Sequence, residues 1–309
     1  MTNPRGKSNL DKYNESVANF AKYEQDYSDI KNKETKTAAK KLEQIAKTKV
    51  LVSQLALIKD QPQFSRTCKT SMRKSFIDEY FNRRKSIDNK YTRKGKSVEE
   101  QAISIYSTVK GRFYSKNEVR LNNEEYLVTG EVDIFEPRNP DHPDIREAKE
   151  TIDIKSPFDI WTFYDSIENE LNDTYKWQGH CYMLLTGAER HTVAYVLVSM
   201  PYDGVVNEIK RLTFGDHEGD MPKWAQIETV SNLVYEKKTL DLYLAGLDID
   251  PNETRETQAM YNSFVELELK DRVYEITFER DEEIFEVIKQ RNHSCKNYIE
   301  SMLVTGKWR

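Results

Sequence analysis

The sequence predicts an α/β fold in which helices wrap a mixed central sheet, and three observations carry that reading. Apolar residues recur at helical spacing between 36 and 110, the period shortens to two between 117 and 155, and a β-branched apolar run spans 191–200. Helical patterns resume on both sides of that run, as they must if helices cover the faces of a sheet.

At 309 residues the chain is longer than most single domains. The expected organisation is a polar N-terminal arm over 1–35, a basic helical segment over 36–94 and a core over 95–200. A C-terminal extension over 201–309, helical with one strand, completes the same domain. Residues 1–35 read as a mobile arm or a surface helix. Over 36–58, Leu42, Ala46 and Val50 lie four apart on one helical face, and Asp60-Gln61-Pro62 stops the run. A basic helical segment follows over 65–93, carrying Met72, Phe76, Tyr80 and Phe81, and Gly95 interrupts it. Val98, Ala102, Ile105 and Val109 then mark another amphipathic helix from Ser97, ended by Lys110-Gly111.

Residues 117–135 predict two short strands around the turn Asn122-Asn123, and 151–155 a further strand after a polar loop over 136–150. Asn172-Asp173 caps a helix that runs to about 185 and closes at Gly187. A helical stretch over 222–247, a loop at Asp250-Pro251, a strand over 273–278 and a last helix over 281–303 complete the chain.

Composition narrows the function classes. Charged residues make up 32% of the chain and apolar ones 38%, which describes a polar-surfaced globular protein. The formal net charge of -5 hides a local excess: 66–96 holds eleven Lys/Arg against three acids. Arg66, Arg73, Lys74, Arg83 and Arg84 are therefore candidates for gripping a phosphate backbone. Cys68, Cys181 and Cys295 are too few and too scattered for a disulfide framework or a metal quartet, which points to a reducing cytoplasm. No run is apolar enough to span a membrane or serve as a signal peptide, so no membrane partner is expected.

The chemistry is concentrated in two strands. In Thr151-Ile152-Asp153-Ile154-Lys155 the alternation projects Asp153 and Lys155 together and sends Ile152 and Ile154 inward. In Gly130-Glu131-Val132-Asp133-Ile134-Phe135 it sets Asp133 opposite Val132 and Ile134. If the two strands pair, the aspartates converge. Two carboxylates and a backbone carbonyl make an all-oxygen site suited to Mg²⁺, with Mn²⁺ as substitute, rather than Zn²⁺. Such a site neutralises a phosphodiester oxygen and acidifies a water, while Lys155 orients that water. Upstream, Glu99 shares a helical face with Ala102 and Tyr106 and is a further candidate ligand, direct or through water. Downstream, Tyr175, Gln178 and Tyr182 share a face of the next helix. His180 and Cys181 face elsewhere and read as packing residues, and Asp141-His142-Pro143-Asp144 reads as a surface loop.

The ordered series Gly95-x-x-x-Glu99-x-x-Ala102, Gly130-x-x-Asp133, Asp153-x-Lys155 and Gln178-x-x-x-Tyr182 resembles the RecB-like and lambda-exonuclease-like branch of the PD-(D/E)XK nucleases, over roughly 95–200. The resemblance implies a restriction-endonuclease-like αβββαβ core. In it, Asp133, Asp153 and the Ile154 carbonyl bind metal, Glu99 occupies the helical acidic position, Lys155 serves the nucleophilic water, and Gln178 and Tyr182 support the site. Asp153 stands where many relatives have glutamate, and the cysteine quartet of the iron-sulfur members is absent, so no such cluster is expected.

What the resemblance implies in function is a DNA exonuclease of recombination or end processing in a bacterial or phage-infected cell. It would act on double-stranded DNA with free ends, beside a single-strand annealing protein and as a homo-oligomer. A structure-selective or nicking endonuclease on the same site, and a catalytically inactive DNA-binding scaffold, are the alternatives.

Overall fold

A computed structural model describes residues 9–28, 36–56, 64–84, 89–169, 171–216 and 221–305. The chain divides into two units: one of residues 1–85 with 293–309, the other of residues 86–292. The predicted stop at Asp60-Gln61-Pro62 lies outside the described residues.

In the first unit, α1 (Asn9–Ser28) packs on α2 (Lys36–Ala56), with Lys41 and Asp26 paired at 2.7 Å. Much of the N-terminal segment is thus helix rather than arm. Helix α3 (Arg66–Tyr80) is capped by the Ser65 hydroxyl, and Phe76 lies against Tyr80 and Phe81 where it ends.

The second unit is built on a four-stranded sheet. It opens with α4 (Lys90–Lys110), whose first turn is closed by a reciprocal pair of side-chain caps between Asn89 and Thr92. Gly95 does not break this helix. A mid-helix glycine costs about 1 kcal/mol, and the cap together with the buried face of Val98, Ala102, Ile105 and Tyr106 outweighs it.

Strands β1 (Leu121–Asn123) and β2 (Val128–Gly130) form a hairpin of their own. The chain turns at 124–127, not at Asn122-Asn123, since Asn123 belongs to the ladder and its side chain caps the turn by accepting from Tyr126 N–H. Then come β3 (Ile134–Pro137), β4 (Ala148–Lys155), α5 (Ile160–Glu168), α6 (Asp173–Thr186) and β5 (Arg190–Val196). The C-terminal part adds α7 (Tyr202–Asp216), α8 (Lys223–Ser231), α9 (Lys237–Gly246), α10 (Arg255–Asn262) and β6 (Val273–Glu279), and α11 (Glu282–Thr305) begins in this unit and ends in the first. The single helix predicted over 222–247 is two, because α8 ends at Ser231 and Glu236 begins α9 after a short break.

The sheet order is β3-β4-β5-β6, with β4 and β5 parallel and both outer pairs antiparallel. Helix α4 covers one face through Ile134, Ile152, Ile154, Ala194 and Val196. The other face meets α5 and α6 through Val193, Tyr195 and Phe278. A strand enclosed on both faces reads as continuously buried, and β4 is buried from Glu150 through Ile154. This enclosure is what places Asp153 in the interior.

Candidate active site

The site lies where β3 begins and β4 ends. Asp133 immediately precedes β3, so its side chain is set by a non-strand segment fastened from outside. The buried Asn117 does the fastening: its N–H donates to the Asp133 carbonyl at 2.8 Å and its Nδ2 to the Val132 carbonyl at 2.9 Å. Val132 and Ile134 are buried in separate clusters on either side of it, and the Asp133 carboxylate turns toward the end of β4.

There it accepts a 2.7 Å hydrogen bond from the Ile154 N–H. The ladder to β3 pairs Ile134 with Ile152 and goes no further, so Ile154 has no strand partner on that edge. N–H and C=O of one strand residue point to the same neighbour, which leaves the Ile154 carbonyl on the Asp133 edge as well.

Asp153, 2% exposed, is ion-paired with Lys155 through Oδ2, an oxygen that accepts no well-directed hydrogen bond. The Lys155 ammonium lies 4.7 Å from the centre of the Tyr175 ring and 3.5 Å from Gln178 Oε1. Gln178 Nε2 in turn donates to the Tyr182 hydroxyl at 2.7 Å. The predicted face of α6 is therefore formed and turned to the lysine. Helix α6 is capped as predicted, by the Asn172 side chain at its start and left-handed Gly187 at its end.

Electrostatics mark the pair. Burial and the charge of Asp153 push the Asp133 carboxyl up to about 7, against the pull of the Ile154 N–H and Lys155. Burial raises Asp153 too, opposed by Lys155. Burial and the charge on Asp153 push Tyr182 up to about 12, so its hydroxyl stays protonated.

Glu99 faces the same cleft, of about 560 Å³, with its carboxylate 2.8 Å from Lys116 Nζ. Among the described residues no group of three or more His, Cys, Asp or Glu side chains converges on one point. Glu99 thus lines the cleft without joining the aspartate pair, one of its oxygens being held by Lys116. Arg66, Arg73, Lys74, Arg83 and Arg84 belong to the other unit. His180 packs between Phe278 and Phe285, and Asp141, His142 and Asp144 are exposed in a loop.

Four features of this region escape the sequence reading. Thr162 and Ser166 of α5 line the cleft, and the signal was present, since Asp159 and Thr162 form a reciprocal N-terminal cap. Tyr195 stands beside Lys155 on β5, a pairing that only the sheet register reveals. Lys94 is buried in α4 and donates to the carbonyls of Pro157 and Phe158 at 2.6 and 2.9 Å, holding the loop that follows Lys155. Burial drives its ammonium down to about 7. Gly179 of α6 lies so close to His191 and Phe278 that a Cβ would meet them at 2.3 and 2.5 Å.

The donors present suit a hard cation. Asp133, Asp153, Glu99 and the Ile154 carbonyl offer oxygen, and no histidine or cysteine lines the cleft. Two buried carboxylates with raised pKa values, side by side, form a cradle whose ionised form a divalent ion would balance.

Helix α4, the mixed sheet and helices α5 and α6 form an α/β fold that is shared with solved exonuclease structures. The chain is similar to a phage-related exonuclease from Haemophilus somnus, at a TM-score of 0.50 and 21% identity over 78% of this chain and 84% of that one. It also aligns with an alkaline exonuclease from Laribacter hongkongensis, at a TM-score of 0.47 and 11% identity over 79% and 84% of the two chains. No family model and no curated protein matches the sequence.

Proposed function

We propose that the chain is a Mg²⁺-dependent DNA exonuclease that hydrolyses phosphodiester bonds from free duplex ends. The observation that carries the reading is the pair of buried carboxylates, Asp133 and Asp153, held beside the Lys155 ammonium at the open end of β4. Keeping two carboxylates out of water next to each other costs stability, and such arrangements concentrate at functional sites.

In this reading Asp133, Asp153 and the Ile154 carbonyl hold the cation, with Glu99 a further ligand, direct or through water. Mn²⁺ substitutes for Mg²⁺. The bound ion supplies neutralising charge at a phosphodiester oxygen and lowers the pKa of water. Lys155 orients the attacking water and stabilises the charge that grows on the phosphate. Gln178 and Tyr182 fix the lysine from one side, and the Tyr175 ring supports its charge from another. Arg66, Arg73, Lys74, Arg83 and Arg84 are assigned to the phosphate backbone on charge alone. Likeness in fold to an exonuclease supports action at DNA ends, and the sequence resemblance extends the proposal to recombination or end processing, with a single-strand annealing protein as partner and a homo-oligomer as working form.

The test is time-resolved digestion of end-labelled linear and closed circular duplex DNA with Mg²⁺ or EDTA. Metal-dependent loss of linear DNA alone is the expected result. Cleavage of the circle would make the protein an endonuclease on the same site, and binding without hydrolysis would make it a scaffold.

A further inference from the structure

A second cavity, of about 600 Å³, adjoins the C-terminal half of α4 and the segment that follows it. Ile103, Ser104, Thr108, Arg112, Phe113 and Lys116 are among the residues that line it. Its construction starts at Gly111, whose left-handed backbone (φ 62) ends α4. The two aromatics that follow part company. Tyr114 enters the core against Tyr106, at 5.4 Å between rings, whereas Phe113 is left 85% exposed at the cavity.

A single exposed apolar side chain is ordinary, so the ring alone carries nothing. Its surroundings do. Ile103 and the two rings share the wall with Ser104, Ser107, Thr108 and Ser115, the Thr108 hydroxyl donating to the Ser104 carbonyl at 2.9 Å, and Glu100 is the acid of the lining. Arg112 is held by Glu136 at 2.9 Å and stacks over Tyr114, which fixes one positive charge at the wall. Lys116 supplies another. Its ammonium sits 2.8 Å from Glu99, and Glu99 lines the cleft that contains Asp133 and Asp153. One ion pair therefore stands between the cavity and the candidate active site.

An exposed ring, hydroxyl-bearing walls and a cation on the side nearest the cleft match a nucleotide, with its base on Phe113 and its phosphate toward Lys116. We propose that this cavity is a nucleotide subsite in which a base adjoining the cleaved bond stacks on Phe113 while its phosphate passes Lys116. Aromatic stacking tolerates any base, and phosphate contact positions the strand without reading it. The inference rests on the proposed nuclease function, whose failure a binding measurement separates from its own.

The binding test uses Phe113→Trp, titrated with a single-stranded oligonucleotide in EDTA, where no hydrolysis is needed. The expected result is saturable fluorescence quenching beyond that of the parent chain, weakened by a single abasic position at one place in the oligonucleotide. With Mg²⁺, Phe113→Ala is expected to raise KM about tenfold, the loss of one base stack, and Phe113→Trp to restore it. Absence of extra quenching, or an abasic profile and KM unchanged in Phe113→Ala, overturns the subsite. If the parent hydrolyses nothing with Mg²⁺ while Phe113→Trp is still quenched, the nuclease reading fails and the nucleotide site stands.

Discussion

The Asp133 carboxylate takes the place of a strand partner for Ile154, accepting its N–H at 2.7 Å where β3 has already ended. One side chain thus completes the sheet edge and presents charge to the cleft.

These two roles separate by substitution. Asp133→Ala leaves a buried N–H without an acceptor and is expected to lower the unfolding free energy by about 1–3 kcal/mol. Asp133→Asn keeps an amide oxygen in that position and is expected to stay near wild type in stability while losing hydrolysis. Urea melts in EDTA beside activity assays check both. Equal stability of the two variants would show that the edge bond contributes nothing.

The raised pKa of Asp133 sets a pH dependence for the metal-free protein. A carboxyl raised from its ordinary value of 3.8 to about 7 on folding binds its proton more tightly in the folded state. Its contribution is therefore fully present below the ordinary value and is lost as pH rises through about 7. In EDTA, the melting temperature of wild type minus that of Asp133→Asn should fall across this window and level off above it. Added Mg²⁺ should stabilise wild type more at high pH than at low, since binding displaces the proton. A flat difference across the window would contradict this account.

Gly179 lets α6 approach the sheet. In Gly179→Ala the new methyl would meet His191 and Phe278, a clash that costs about 1–3 kcal/mol when a packed core must shift. Gln178 is the neighbouring residue, so kcat should fall along with the melting temperature. A variant that melts like wild type would mean that the helix has slack the geometry does not show.

Tyr182 acts on Lys155 only through Gln178. Tyr182→Phe should lower kcat by about tenfold, the scale of one lost hydrogen bond to a positioned group, and leave KM nearly unchanged. A change confined to KM would instead place Tyr182 in substrate binding.

What was legible in the sequence was local. Alternation in 151–155 gives the common side of Asp153 and Lys155, and Asn172 and Gly187 bound α6 because caps act within a few residues. The site was less legible wherever it depends on partners distant in sequence. Asp133 lies outside a strand, held by Asn117 from sixteen residues away, and Tyr195 reaches Lys155 only through parallel pairing. Helix α5 went unread because its run of nine residues is too short for periodicity to stand out, though its cap was visible. Gly95 misled because an intrinsic preference is small beside the burial of a 21-residue amphipathic helix.

The most direct test of the central claim compares hydrolysis of linear duplex DNA by wild type and Lys155→Ala, in Mg²⁺ and in EDTA, with DNA binding measured in parallel. Hydrolysis by wild type in Mg²⁺ alone and a loss of about 10²–10³-fold in Lys155→Ala are expected, with binding retained. Equal rates in the two proteins, hydrolysis in EDTA, or binding by wild type with no hydrolysis would contradict it.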